Sequence, residues 1–405
     1  MAIWLVASAA VSALLLHALS RLVEETDPEL ALSLFPFNAE ATAHRVEKIL
    51  DAQPAQEDLP AIEALLDGAL RLHAGQARLQ SLRSEVLLRR GDRDGAVEGF
   101  QQALRLSKTE SAALQRTIAW SIESHDVSGA IQNIDILLRR HPAKIRDLAG
   151  LFSALVATEE GYAELRQRLA VMPPWRGAVF AQIAADPARL AAGSSLLIDL
   201  HEAGAPVGDW EVSTIIQALI REGRALEAYN LFLGTQSDED VALGGYIHDS
   251  GFEGPASSKP FNWQIRGRPG HAIERLPHPA FATEPSGLLI QFNGTPVKDM
   301  HVRQVLHLPP GHYELAIEVS AANARLPKGL FWSLQCLSPS REIARLDIPE
   351  GSYRGETISA RFELPPTGCP LQVISVHTGV IAESWKDRYA GNVAVRRLHV
   401  RKGVS

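Results

Sequence analysis

The sequence is poor in the residues from which catalytic and metal sites are usually assembled. It has two cysteines and three methionines in 405 residues. Its fourteen histidines, eight of them beyond residue 240, fall into no HExxH or Cys/His spacing, so no metal site is expected. A Walker loop, a G-x-S-x-G elbow and a strand-coupled G-x-G-x-x-G are also missing. We therefore expect no enzyme activity, no catalytic residue and no cofactor. Basic excess is lacking as well: 40 Lys+Arg stand against 47 Asp+Glu, a net charge of −7, which argues against nucleic acid as a partner. With 46% hydrophobic and 21% charged residues, the chain is neither disordered, nor collagenous, nor a polytopic membrane protein.

Only one long apolar run is present. Residues 3–19 carry no formal charge and are interrupted only by Ser8, Ser12 and His17. As a helix they reach about 25 Å, near the lower limit for a spanning segment. Residues 1–22 are thus expected to form a transmembrane anchor. A cleaved signal with Ala18-Leu19-Ser20 at its end, or a buried globular helix, are the alternatives. No Lys or Arg precedes the run and Arg21 follows it, which by the positive-inside rule weighs against export of the bulk.

The charge is unevenly distributed. Residues 1–240 hold 22 Lys+Arg against 33 Asp+Glu, and residues 241–405 hold 18 against 14, so two differently built halves are expected. In the first half the sequence matches itself at an offset of 34. Gly91, Ala96, Phe100, Ala103 and Leu104 return as His125, Ala130, Ile134, Leu137 and Leu138. One period earlier, Ile62, Leu66, Ala69 and Leu70 hold the corresponding places. Gly223, Ala228 and Phe232 repeat the spacing later. Each unit reads as two helices joined by a tight turn, with small residues where helices approach closely. The array is expected over 36–236, either as a surface for protein partners or as a spacer.

From about residue 249 the helical period stops and short alternating runs begin, punctuated by Pro and Gly. Runs at 288–292, 302–308, 313–319, 330–336, 358–364, 371–376 and 393–400 give at least seven strands. Each is expected to have one buried and one wet face, as in a two-sheet sandwich or jelly roll over 249–401.

The 34-residue pattern, with its turn glycine Gly91, its small positions Ala69, Ala96, Ala103 and Ala130 and its aromatic Phe100, resembles the tetratricopeptide repeat family. Departures are the missing aromatic of the first helix, His125 in place of glycine and Ile62 at a small position. The second half resembles carbohydrate-binding modules of the galactose-binding-like jelly-roll class. The matching segments are Gly251-Phe252-Glu253, Phe261-Asn262-Trp263, Gln304-Val305-Leu306, Pro310-Gly311-His312-Tyr313 and Gly391-Asn392-Val393. Arg396-Arg397 stand near the place where that class often has acidic residues for a structural calcium, so no calcium is expected. The whole arrangement resembles proteins encoded with bacterial exopolysaccharide or O-antigen assembly systems.

The overall expectation is a multidomain chain: a transmembrane helix, an all-α tetratricopeptide-like solenoid and an all-β sandwich. The resemblance implies a single-pass protein of the bacterial inner membrane with its bulk in the periplasm. Its partners would be the membrane, proteins of polysaccharide assembly and polysaccharide itself. A purely protein-binding adaptor of the cell envelope and a carbohydrate-active enzyme are the alternatives. Cys336 and Cys369 either pair, closing a loop worth roughly 3 to 4 kcal/mol, or remain two buried thiols. Pairing agrees with an oxidising compartment. For a glycan, flat aromatic faces and planar polar side chains are needed. Trp385 and Tyr389, in a polar loop at 383–389, are the first candidates, although Trp385 as a cap on the sandwich is the competing reading. Trp263, Phe331 and Arg361 follow, whereas the alternation around Trp332 places it in the core.

Overall fold

The structure, a computed structural model, describes residues 2–277, 281, 286–379 and 387–403, with side chains from Val11 onward. Packing divides the chain into two compact units, residues 1–148 with 173–175 and residues 149–172 with 176–405.

The first unit is helical: α1 (Ala2–Val23), α2 (Pro28–Leu34), α3 (Ala39–Asp51), α4 (Leu59–Leu72), α5 (Ala77–Arg89), α6 (Arg93–Leu106), α7 (Ser111–Glu123) and α8 (Val127–Arg140). The period of 34 is a period of structure. α7 begins and ends 34 residues after α5, α8 after α6, and α6 after α4. Ala96 and Ala130 are fully buried, as are Phe100 and Ile134 one turn further on. The turn between α5 and α6 needs a left-handed residue, supplied by Gly91 at φ +88°; His125 does the same between α7 and α8 at φ +62°. The next residue then starts the helix. Asp92 accepts from Gly95 N at 3.0 Å and Asp126 from Gly129 N at 2.9 Å, each satisfying a backbone donor that the helix leaves unpaired.

The segment expected as an anchor forms a single helix. Residues 2–23 are helical, but among the described residues no helix is long and apolar enough to cross a membrane. The end of α1 carries polar groups used inside the unit. Ser20 is fully buried, donates to Ala31 O at 2.8 Å and accepts from Asn38 Nδ2 at 2.8 Å. His17 meets Phe35 edge-on with ring centres 4.7 Å apart.

The second unit begins with α9 (Ala149–Leu155), α10 (Glu159–Ala170), α11 (Arg176–Ala184), α12 (Leu190–Glu202), α13 (Asp209–Arg221), α14 (Ala225–Leu233) and α15 (Asp238–Ala242). Strands follow: β1 (Gln264–Arg266), β2 (His271–Arg275), β3 (Leu288–Asn293), β4 (His301–Leu306), β5 (Gly311–Arg325), β6 (Leu330–Cys336), β7 (Arg341–Ile348), β8 (Gly351–Leu364), β9 (Gln372–Thr378) and β10 (Ala390–Lys402). They form two five-stranded antiparallel sheets, a front sheet β1-β4-β9-β6-β7 and a back sheet β2-β3-β10-β5-β8. All seven expected runs are strands; β1, β2 and β7 add to them.

The sandwich core holds Trp263, Trp332, Phe252, Leu288, Ile290 and Ile317. Trp263 stacks on Phe252 at 4.7 Å and meets Trp332 edge-on at 5.8 Å. The segment leading from α15 to β1 is held by a buried amide: Gln304 Nε2 donates to His248 O at 2.9 Å, and Gln304 Oε1 accepts from His248 N at 3.1 Å. Both main-chain polar groups of His248 are thus satisfied out of contact with solvent. Helix and sheet share one packed body in this unit. Tyr229 of α14 lies 5.3 Å from the Phe261 ring and 5.1 Å from His307, and Ser213 of α13 donates to Ser258 O at 2.9 Å. His307 is stacked on Tyr229, with the two rings 18° apart.

Candidate functional site

The five strands of the front sheet turn one set of side chains into the core and the other outward. Register fixes the outward rows. Gln264 pairs with Arg303, Arg303 with Ser375, Ser375 with Ser333, and Ser333 with Arg345. The neighbouring row contains Arg266 opposite His301, then His377 opposite Phe331, which faces Asp347. His301 and His377 share that row because each stands two residues from the paired Arg303 and Ser375. At about 4.8 Å per strand, each row extends about 19 Å across the sheet.

These side chains are fixed by one another. The Arg345 guanidinium lies 3.5 Å from the centre of the Phe331 ring, a cation–π contact. Asp347 holds it by accepting from Nε at 2.9 Å and Nη2 at 2.7 Å. His377 tilts against the other side of the cluster, 5.7 Å from Phe331. Ser333 donates to Glu342 at 3.0 Å and accepts from Gln335 at 3.0 Å, while Arg303 Nε donates to Gln264 Oε1 at 2.9 Å. The outcome corrects the expectation of a wet second face for β6. Phe331 is 8% exposed and Ser333 fully buried, because β6 lies between β9 and β7 and their long side chains close over it.

Burial, the largest influence, lowers the pKa of both histidines of the face. At His301 the neighbouring Arg303, Arg266 and Arg268 push the same way. At His377 Arg345 pushes the same way and Glu342 opposes. Both rings are therefore neutral at pH 7.

Ser375 Oγ and His377 lie 2.7 Å apart, the spacing of a nucleophile and its base. Two further parts of an acyl-transfer site are missing among the described residues. No carboxylate hydrogen-bonds the His377 ring, and β9 is paired on both edges, which commits its N–H groups to the sheet rather than to an oxyanion. Nor does any group of three His, Cys, Asp or Glu among the described residues suit a metal ion. The face offers planar polar groups, hydroxyls and one aromatic edge.

Of the residues singled out from sequence, Phe331 belongs to this face. Trp263 is fully buried and its indole N–H donates to Asp249 O at 2.8 Å; it is a core residue rather than a platform. Tyr389 is also fully buried, with its hydroxyl donating to Gly329 O at 3.0 Å and its ring 5.3 Å from Phe292. Trp385 lies outside the described residues. Arg361 is exposed on the back sheet, paired in register with Glu314 and bordering a surface depression of about 810 Å³ with Arg401 and Lys402. It does not meet Phe331. Trp332 is in the core as expected, and Cys336 and Cys369 form a disulfide with Cα atoms 5.3 Å apart.

Sequence reasoning missed Arg345, His377, Ser333, Ser375 and Gln264. For Arg345 a signal was present: Ala344, Leu346 and Ile348 alternate with Arg345 and Asp347, which is a strand pattern. Nothing comparable marked the others, whose proximity depends on strand order.

No family model matches the chain, and no curated protein does. Among solved structures the chain is similar to a CBM4 structure, at 14% identity and a TM-score of 0.30, covering 39% of this chain and 99% of that one. It is also similar to TmCBM61 in complex with β-1,4-galactotriose, at 15% identity and a TM-score of 0.27, covering 40% of this chain and 99% of that one. A third is the carbohydrate-binding module CBM6cm-2 of Cellvibrio mixtus lichenase 5A in complex with cellotriose. There the identity is 13% and the TM-score 0.22, with 35% of this chain and 92% of that chain covered.

Proposed function

We propose that this protein is a non-catalytic glycan-binding scaffold: the front sheet of its sandwich recognises polysaccharide, and its helical repeats, of tetratricopeptide type, dock protein partners. The observation that carries the reading is the pair of cross-strand rows on the front sheet, centred on Phe331 beneath Arg345. A row about 19 Å long accommodates several sugar rings side by side. Arg303, Arg345 and Gln264 supply planar forks of donors and acceptors, and prior hydrogen bonding reduces the entropy lost when they meet a ligand.

For the array, support comes from the 34-residue recurrence of helix bounds and caps. For compartment, the Cys336–Cys369 disulfide favours an oxidising setting such as the bacterial periplasm. The combination of array and sandwich is the support for a role in envelope polysaccharide assembly.

The test is affinity electrophoresis of the whole protein through gels containing neutral or acidic polysaccharides, with Arg345→Ala and Gln264→Ala beside the wild type. Retardation of wild type that both variants lose, with unchanged circular dichroism, supports the reading. Wild type migrating freely in every gel, while still capturing a protein partner, would leave a protein adaptor instead.

A further inference from the structure

The front sheet is electrically lopsided. At its β7 end, Glu342 and Asp347 are engaged by Ser333 and Arg345. At its β1–β4 end, Arg266 and Arg303 project from paired strands on the same face, two residue pairs apart along the ladder. Neither forms an ion pair among the described residues. The neighbouring acid, Asp299, is taken by Arg268 at 3.5 Å. His301, between them, adds no charge at neutral pH, because burial and the three surrounding arginines all hold its pKa down. Two cations are thus left facing the solvent at one end of the platform, in a half of the chain with 18 Lys+Arg against 14 Asp+Glu.

From this we infer that the glycan is anionic and sets a carboxylate, as on a uronate residue, over Arg266 and Arg303, with its chain running across the strands toward Phe331. The inference rests on the glycan-binding reading of the same face. A guanidinium matches a carboxylate in planar, two-bond geometry. Arg303 spends only its Nε on Gln264, so both of its terminal nitrogens remain for a ligand. A neutral sugar leaves this charge unused; an acidic one relieves the repulsion between two unpaired cations.

The experiment compares polymers that differ at C6 alone: β-1,4-mannan against β-1,4-polymannuronate, and fully methyl-esterified against de-esterified polygalacturonate, with dextran sulfate as a separate anion. Binding of the whole protein is measured at low and at high salt. The expected result is at least tenfold tighter binding of one uronate polymer than of its neutral counterpart, weakened by salt. The Arg266→Gln/Arg303→Gln double variant should lose that advantage. Equal binding of neutral and uronate forms, or an advantage that survives in the double variant, overturns the inference while leaving the glycan-binding reading in place. Dextran sulfate binding more tightly than either uronate overturns the carboxylate assignment. Failure of every polymer to bind overturns both.

Discussion

Arg345 and Phe331 come from different strands, yet the guanidinium lies 3.5 Å above the ring centre. β7 pairs with β6 so that Phe331 faces Asp347 and Ser333 faces Arg345; the arginine leans diagonally onto the ring while Asp347 holds its head group. The side chain of Arg345 is 40% exposed and that of Asp347 68%, so the arrangement contributes little to folding and is free to meet a ligand.

Replacing Arg345 with alanine should separate those two roles. The exposed ion pair and cation–π contact together are worth about 1 kcal/mol of stability. Urea denaturation should show a loss of that size or less, while polysaccharide retention drops tenfold or more. A large destabilisation with retention intact would make Arg345 a structural residue.

Gln304 offers the opposite case, a polar residue that serves only the fold. It is fully buried and bonds both backbone groups of His248. Gln304→Leu leaves a buried donor and a buried acceptor unsatisfied and should cost about 2–4 kcal/mol, read as a lower urea midpoint with an unchanged slope. A cost under 0.5 kcal/mol would show that His248 finds other partners.

Acid should weaken the second unit. Burial lowers the pKa of His248, His271, His307 and His377 below the ordinary 6.5. The unfolded chain then binds protons that the folded one refuses. The stability associated with neutral rings is complete above pH 6.5 and declines as pH falls from there toward the depressed folded values. Thermal melting followed from pH 7.5 to 5 should show a falling midpoint, and His248→Gln should flatten the decline. A midpoint constant over that range would contradict the burial of these rings.

The disulfide joins residues 33 apart in sequence, and both sulfur-bearing residues are buried. Replacing both cysteines with serine should lower stability by about 3–4 kcal/mol through the loop entropy restored to the unfolded chain. Mass mapping without reductant should find one Cys336–Cys369 peptide; two free thiols would remove the support for an oxidising compartment.

In the array, Asp92→Ala and Asp126→Ala should each cost about 1 kcal/mol. Because the two caps serve different helices, the double variant should lose the sum. Strong non-additivity would indicate that the two turns do not act as independent repeats.

Much of the architecture was legible from local pattern. The offset of 34 found the helix pairs because small and large residues must recur wherever helices pack in the same way, as Ala96 and Ala130 do. Alternation found β6 at Leu330–Cys336 without error in its bounds. What pattern alone misjudged was environment. Tyr389 read as a sugar platform since it stands in a polar loop, and Trp263 as a further aromatic candidate; the fold turns both inward. Strand β7 was overlooked, and with it Arg345. The binding face as a whole escaped notice because Gln264, Arg303, Ser375, Ser333 and Arg345 come together only through the order β1-β4-β9-β6-β7, which no local run encodes.

The central claim is tested most directly by isothermal titration of the whole protein with the oligosaccharide that retards it most, for wild type and for Arg345→Ala. The expected result is saturable binding at one site, weakened at least tenfold in the variant, with both proteins equally folded. Equal affinity of the two proteins would place the ligand elsewhere than the Phe331–Arg345 face.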